Sequence, residues 1–250
     1  MTAAGRERMR TLAPLLAIGA AAWLALLVRP AGPVHASMHS MRPAPAALVA
    51  DAVLMFAAMM APFAGAPVRH VRDRSFARRR GRATALFVAG YALPWIAATV
   101  ALLLIGRAVA AAESPAVLGI ALAAVALFQS SPLKQRSLNR CHGHPPLAAF
   151  GLRAELDALR FGFTHAAWCI GSCAALMLLP MLFTRGHLAV MAAVTLWLAG
   201  ERLEKPAPPR WRWRGPNQVA RVALGQWRTR RGRGDGGVFV PRATTSRAGS

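Results

Sequence analysis

Apolar residues in this chain run in long uninterrupted blocks, and the charged residues crowd between the blocks. The blocks lie near 12–28, 46–66, 83–106, 115–129, 161–183 and 187–201. Crossing a ~30 Å hydrocarbon core takes roughly 20 mostly apolar residues, and a helix is the simplest spanning form that satisfies its own backbone. The pattern therefore predicts an all-α chain, a polytopic transmembrane helical bundle of about six spans. The fourth block is the weakest, because Glu113 and Pro115 cut it short. A re-entrant or bundle-buried helix is the other reading of it.

Charge turns the blocks into a topology. The chain has 31 Lys and Arg against 9 Asp and Glu, a net charge of +22, yet 55% of it is hydrophobic. Only Lys134 and Lys205 are lysines, so the positive charge is almost all arginine. Arg6, Arg8 and Arg10 precede the first block. Arg69, Arg72, Arg74, Arg78, Arg79, Arg80 and Arg82 follow the second, and Lys134, Arg136, Arg140, Arg153 and Arg160 follow the fourth. The intervening connections hold only Arg29 and Arg42, then Arg107, then Arg185. Alternation of basic and basic-poor loops is the positive-inside pattern, and it predicts both termini on the cytoplasmic side.

Three regions follow. Residues 1–45 hold the first span and an outer loop; 46–205 form the membrane domain; 206–250 form a basic tail. A second reading of the first region is a secretory signal cleaved after Ala36, which leaves five spans. The tail is rich in Arg, Gly and Pro without periodicity and is expected to be disordered. Trp211, Trp213 and Trp227 among its arginines suggest contact with the anionic inner leaflet. Because the basic residues flank apolar spans, membrane lipid is the expected partner rather than nucleic acid.

Candidate chemistry lies inside the blocks. His165, Cys169 and Cys173 are spaced i, i+4, i+8 and share one helical stripe. Each step climbs about 6 Å, so adjacent pairs can share an ion but all three cannot. Asp51, Met55 and Met59 repeat the same spacing in the second block, with Met60 and Pro62 beside them. Depth along the two helices predicts Met55 level with Cys173 and Met59 level with Cys169. If the helices are neighbours, thioether and thiol sulfurs meet at two levels, a soft ligand set for Cu(I), with zinc second. Cys141, His142 and His144 form a compact Cys/His group in the fourth connection, and His35, Met38, His39 and Met41 an outer one. Helix packing is the competing reading for every Met and Cys. Three scattered cysteines do not make a disulfide framework.

These residues fall into runs that resemble the DUF2182 family, bacterial proteins described as predicted metal-binding integral membrane proteins. The matching runs are Ala58-Met59-Met60-Ala61-Pro62, Gly90-Tyr91 with Trp95, and Pro132-Leu133-Lys134 with Leu138 and Cys141. The most specific comprises Arg160, Gly162, His165, Cys169, Gly171, Cys173, Leu176 and Met177, and Glu201-Arg202 closes the pattern approximately. The resemblance covers roughly residues 46–206. Ser137 and Ser172 stand where the family usually has Cys, and Ala166 where it has Gly. Either His142 or His144 substitutes for the missing thiols, or the site is impaired.

The function expected is handling of a soft transition metal, copper first and zinc second, by transport or delivery at the bacterial inner membrane. A metallochaperone or a second copy of the chain is the expected protein partner. The alternative is a non-transporting assembly, interaction or redox-sensing protein. A membrane enzyme using His165 and Cys169 as a thiolate pair is a third class. No phosphate loop, nucleophile elbow or paired-carboxylate site supports it, so the chain is expected not to be an enzyme.

Overall fold

The computed structural model describes residues 3–28, 45–183, 186–215 and 225. All secondary structure among them is helical. Helix α1 is Ala3–Val28, α2 is Pro45–Met60, and a 3-10 turn at Ala61–Ala64 leads into α3, Gly65–Asp73. Helix α4 is Arg80–Ala111, α5 Pro115–Ser130, α6 Pro132–Cys141, α7 Gly151–Leu182 and α8 His187–Arg202. The outer His/Met group at 35–41 and Trp227 lie outside the described residues.

Prolines set most of the breaks. Pro62 lies in the 3-10 turn between α2 and α3, where its missing N–H favours a tighter turn over a continuing helix. Glu113 turns left-handed with φ 45° and ends α4; Pro115 then opens α5. Ser131 is extended before Pro132, so α5 must stop. The Ser131 hydroxyl caps α6 by accepting from the Lys134 N–H at 3.2 Å. Helix α6 leaves at 59° to α5.

Four segments are long and apolar enough to cross a membrane: Met9–Val28, Pro45–Asp73, Arg80–Ala111 and Gly151–Leu182. The bent pair α5–α6 makes a fifth if it is one span. Against the six expected, the described residues therefore offer four or five candidate spans by length and composition. The last helix, α8, has 16 residues, and at 1.5 Å per residue it reaches only about 24 Å, short of a ~30 Å core. Large apolar side chains cover the outside: Leu24, Leu93, Ile120, Leu127 and Leu196 are each 59–70% exposed. So much outward apolar surface suits lipid rather than water.

The long helices α4 and α7 form the central pair. Their backbones touch at Gly90 and Gly162; a Cβ on Gly162 would lie 2.9 Å from the Tyr91 nitrogen, and one on Gly90 2.5 Å from the Leu159 carbonyl. Small residues permit this approach, which lets dispersion and backbone contacts replace the hydrophobic drive absent in lipid. Helices α1 and α2 pack on one another and α2 on α4, while α6 and α8 pack on α7. The Trp23 indole N–H donates to the Ala58 carbonyl at 3.1 Å, tying α1 into the bundle.

The described part of the C-terminal region differs from the free tail expected. Residues 206–215 run along α6 instead of lying free. Asn139 donates to the Ala207 carbonyl at 2.8 Å and accepts from the Ala207 N–H at 3.2 Å. The Arg212 N–H reaches the Ser130 carbonyl at 3.0 Å, and Arg214 is buried while donating to Gln135. Pro-rich chain with no periodicity is held in place by side-chain-to-backbone bonds, a long-range pairing that local composition cannot report.

Candidate metal centre

Helix α7 turns His165, Cys169 and Cys173 inward, all buried, as their four-residue spacing requires. Helix α6 ends at Cys141, also buried, and Gly171 makes room for it. A Cβ on Gly171 would stand 2.8 Å from the Ser137 hydroxyl and 3.3 Å from its Cβ, so a glycine favours this close approach of α6. The result is convergence of all three cysteines. Cys141 and Cys173 both interact with the Cys169 thiol. The Ser172 hydroxyl lies 3.3 Å from the Cys173 sulfur and 3.7 Å from that of Cys141. All three cysteines are free.

Two further groups complete the centre. The Tyr91 hydroxyl, from α4, is 3.3 Å from the Cys169 sulfur. Arg202, at the end of α8, donates through Nη2 to Cys169 at 2.5 Å and to Cys173 at 3.6 Å. Its guanidinium carbon stands 5.7 Å from the Phe63 ring in the 3-10 turn, a cation–π distance. Elements from five parts of the chain therefore meet at the thiols.

Beside this centre lies a buried charge network. Lys134 and Glu201, both almost fully buried, pair at 2.7 Å. Gln129 donates to Glu201 at 2.5 Å, accepts from Lys134, and donates to the Arg214 carbonyl at 3.1 Å. It joins the α5–α6 bend, α8 and the chain after it.

The remaining candidates separate. His142 has both ring nitrogens against carbonyls, Leu138 at 2.9 Å and Arg202 at 3.2 Å, and serves as a tether between α6 and the end of α8. His144 stands with its ring 5.0 Å from His70 and 6.5 Å from Phe161. Partial burial and the neighbouring His70 lower its pKa, which keeps the imidazole neutral. His165 packs among the rings of Phe161, Tyr91 and Phe87 at 5.6, 5.7 and 6.3 Å. His144 and His165 also line one open cleft of about 480 Å³ with Arg140, Phe161, Thr164 and Trp168.

Met55, Met59 and Met60 are buried in the same apolar core as the cysteines. Helix α2 packs on α1 and α4 while α7 packs mainly on α4, so α4 is the packing partner that the two helices share. Equal depth fixes height along the membrane normal and says nothing about lateral neighbours.

Among the described residues, no group of three or more His, Cys, Asp or Glu side chains stands in metal-holding geometry. The donors fit a soft monovalent ion that accepts two sulfurs better than a four-coordinate zinc ion. Tyr91, Lys134, Glu201 and Arg202 entered the sequence reading only as residues of the family pattern, with no role in the centre assigned to them. Lys134 carried a signal: one of two lysines, it follows an apolar block directly.

A family model described as PpoB2, copper chaperone, matches residues 49–224. That span contains every residue of the centre. The expected metal-binding family is thereby met as a copper-related one, although the matching family does not carry the DUF2182 name. No curated protein and no solved structure matches the chain significantly.

Proposed function

The chain belongs to the PpoB2 copper-chaperone family, and from that premise we propose that it is a membrane protein that binds Cu(I) and delivers it at the inner membrane. The observation that carries this reading is the burial of Cys141, Cys169 and Cys173 together, from two successive helices. Thiols are the ligands that select a cuprous ion. The cleft lined by His144 and His165 is the route by which copper reaches and leaves them. The neutral His144 imidazole there gives a weak exchange site, which is what passing an ion onward requires. Redox sensing fits less well, since it uses an exposed, reactive thiol and these are buried.

The membrane setting follows the same logic. Alternating Arg-rich and Arg-poor loops support cytoplasmic termini. Exposed Trp211 and Trp213, interleaved with Arg210 and Arg212, suit an anionic leaflet surface. A partner metallochaperone or a second copy of the chain would meet the bundle on that side.

Delivery and transport are separated by reconstitution. Copper-loaded protein in sealed proteoliposomes should hand Cu(I) to a cuprous chelator on one side only. Accumulation of copper in the lumen beyond the amount of protein would refute delivery in favour of transport. Cys169→Ser should abolish the transfer.

A further inference from the structure

We propose that Arg202 is a built-in counter-cation that fits the thiol centre to a cuprous ion held by two thiolates. The inference rests on the copper reading above and deepens it, because it assigns a residue that sets which ion is accepted.

Arg202 is a cation without an acid. Among the described residues, the side chains it bonds are the thiols of Cys169 and Cys173, both through Nη2, and its Nε is buried with no hydrogen-bond partner. The carboxylate next to it in sequence, Glu201, is committed to Lys134 and Gln129. Phe63 covers the guanidinium face. A charge held in such surroundings is costly unless an opposite charge stands close. The groups at its donors that can supply one are the sulfurs.

Charge arithmetic then selects the ion. One Cu(I) replacing the protons of two thiols releases two protons and forms a dithiolate complex with one negative charge. With the guanidinium the sum is zero. No electron moves, and copper arrives and leaves as Cu(I). A divalent zinc ion on the same two thiolates forms a neutral complex and leaves the guanidinium uncompensated. Arg202 therefore favours a soft monovalent ion over zinc at the same ligands. It acts on the complex through its charge and its two contacts, without being a ligand.

The test uses the full chain, purified in detergent under reducing conditions, titrated with Cu(I) against a cuprous chelator and separately with Zn(II). Arg202→Gln should weaken Cu(I) binding by roughly tenfold or more while leaving zinc binding unchanged or tighter, because one charge at contact distance has been removed. Arg202→Lys keeps the charge and should stay within a few-fold of the parent. Copper X-ray absorption of the unsubstituted protein should show two sulfur neighbours per copper. Cu(I) binding of Arg202→Gln equal to the parent, or an equal loss of copper and zinc, would overturn the inference. So would three sulfur neighbours, since one guanidinium cannot offset the added charge; this arm needs no variant to fold. A Cys169→Ser/Cys173→Ser protein separates the two levels. If it binds Cu(I) like the parent, the copper site itself is misplaced. If it loses copper while Arg202→Gln keeps it, only the counter-cation falls.

Discussion

Replacing Lys134 by methionine removes the cation of a pair that is almost wholly buried and separated by 2.7 Å. The Glu201 carboxylate then keeps a single side-chain donor, Gln129. Breaking a buried pair from one side costs about 3–5 kcal/mol, because it strands a charge. Adding Glu201→Leu removes that charge. What remains is the Gln129 carbonyl oxygen, deprived of Lys134, at a cost of about 1–3 kcal/mol for one unsatisfied buried group. The double variant should therefore be more stable than the single by about 2 kcal/mol. Thermal unfolding in detergent, followed by exposure of the buried thiols to a maleimide, reads this difference. At roughly 2–4 °C per kcal/mol for a chain of this size, Lys134→Met should melt about 6–20 °C below the parent. The double variant should recover part of that loss. A double variant as unstable as Lys134→Met, or less stable, would refute the reasoning. The network would then be contributing through its hydrogen bonds rather than through a paired charge.

Three further outcomes follow from individual contacts. Gly162→Ala should destabilise by about 1–3 kcal/mol by forcing α4 and α7 apart. Gly119→Ala, where nothing lies within 4 Å of the added methyl, should not destabilise; melting the two side by side checks the contrast. Ser172→Cys puts a fourth thiol between Cys141 and Cys173, and should raise zinc affinity more than copper affinity in paired titrations, since zinc needs the larger ligand set. Asn139→Ala removes both bonds to Ala207, so limited trypsin digestion should cut at Arg210 and Arg212 faster than in the parent.

Much of the centre could be read from the chain because helix periodicity is strict. Residues four apart in an apolar block must share a face, so Cys169 and Cys173 were bound to meet. Cys141 was visible as a candidate but not as their neighbour, because its approach depends on the 59° bend at Ser131-Pro132 and on the bare backbone of Gly171. Arg202 was visible as the end of the family pattern, but its role was not. An arginine just past an apolar block reads as a membrane-interface anchor, and only the tertiary packing of α8 on α7 turns it toward sulfur. The lateral placement of the methionines was equally out of reach of the sequence, since α4 is the partner both helices share. The block expected as the sixth span forms a helix of 16 residues, α8, against the roughly 20 that a ~30 Å core takes.

The central claim is that copper sits on the converged cysteines, and metal content tests it most directly. Protein should be purified in detergent from copper-supplemented cells without chelators, beside its Cys169→Ser variant, and both analysed for copper and zinc. The account predicts about one copper per chain and little zinc in the parent, with copper lost from a variant that still melts cooperatively. Copper retained in full by Cys169→Ser, or a well-folded parent that carries no copper, would contradict it.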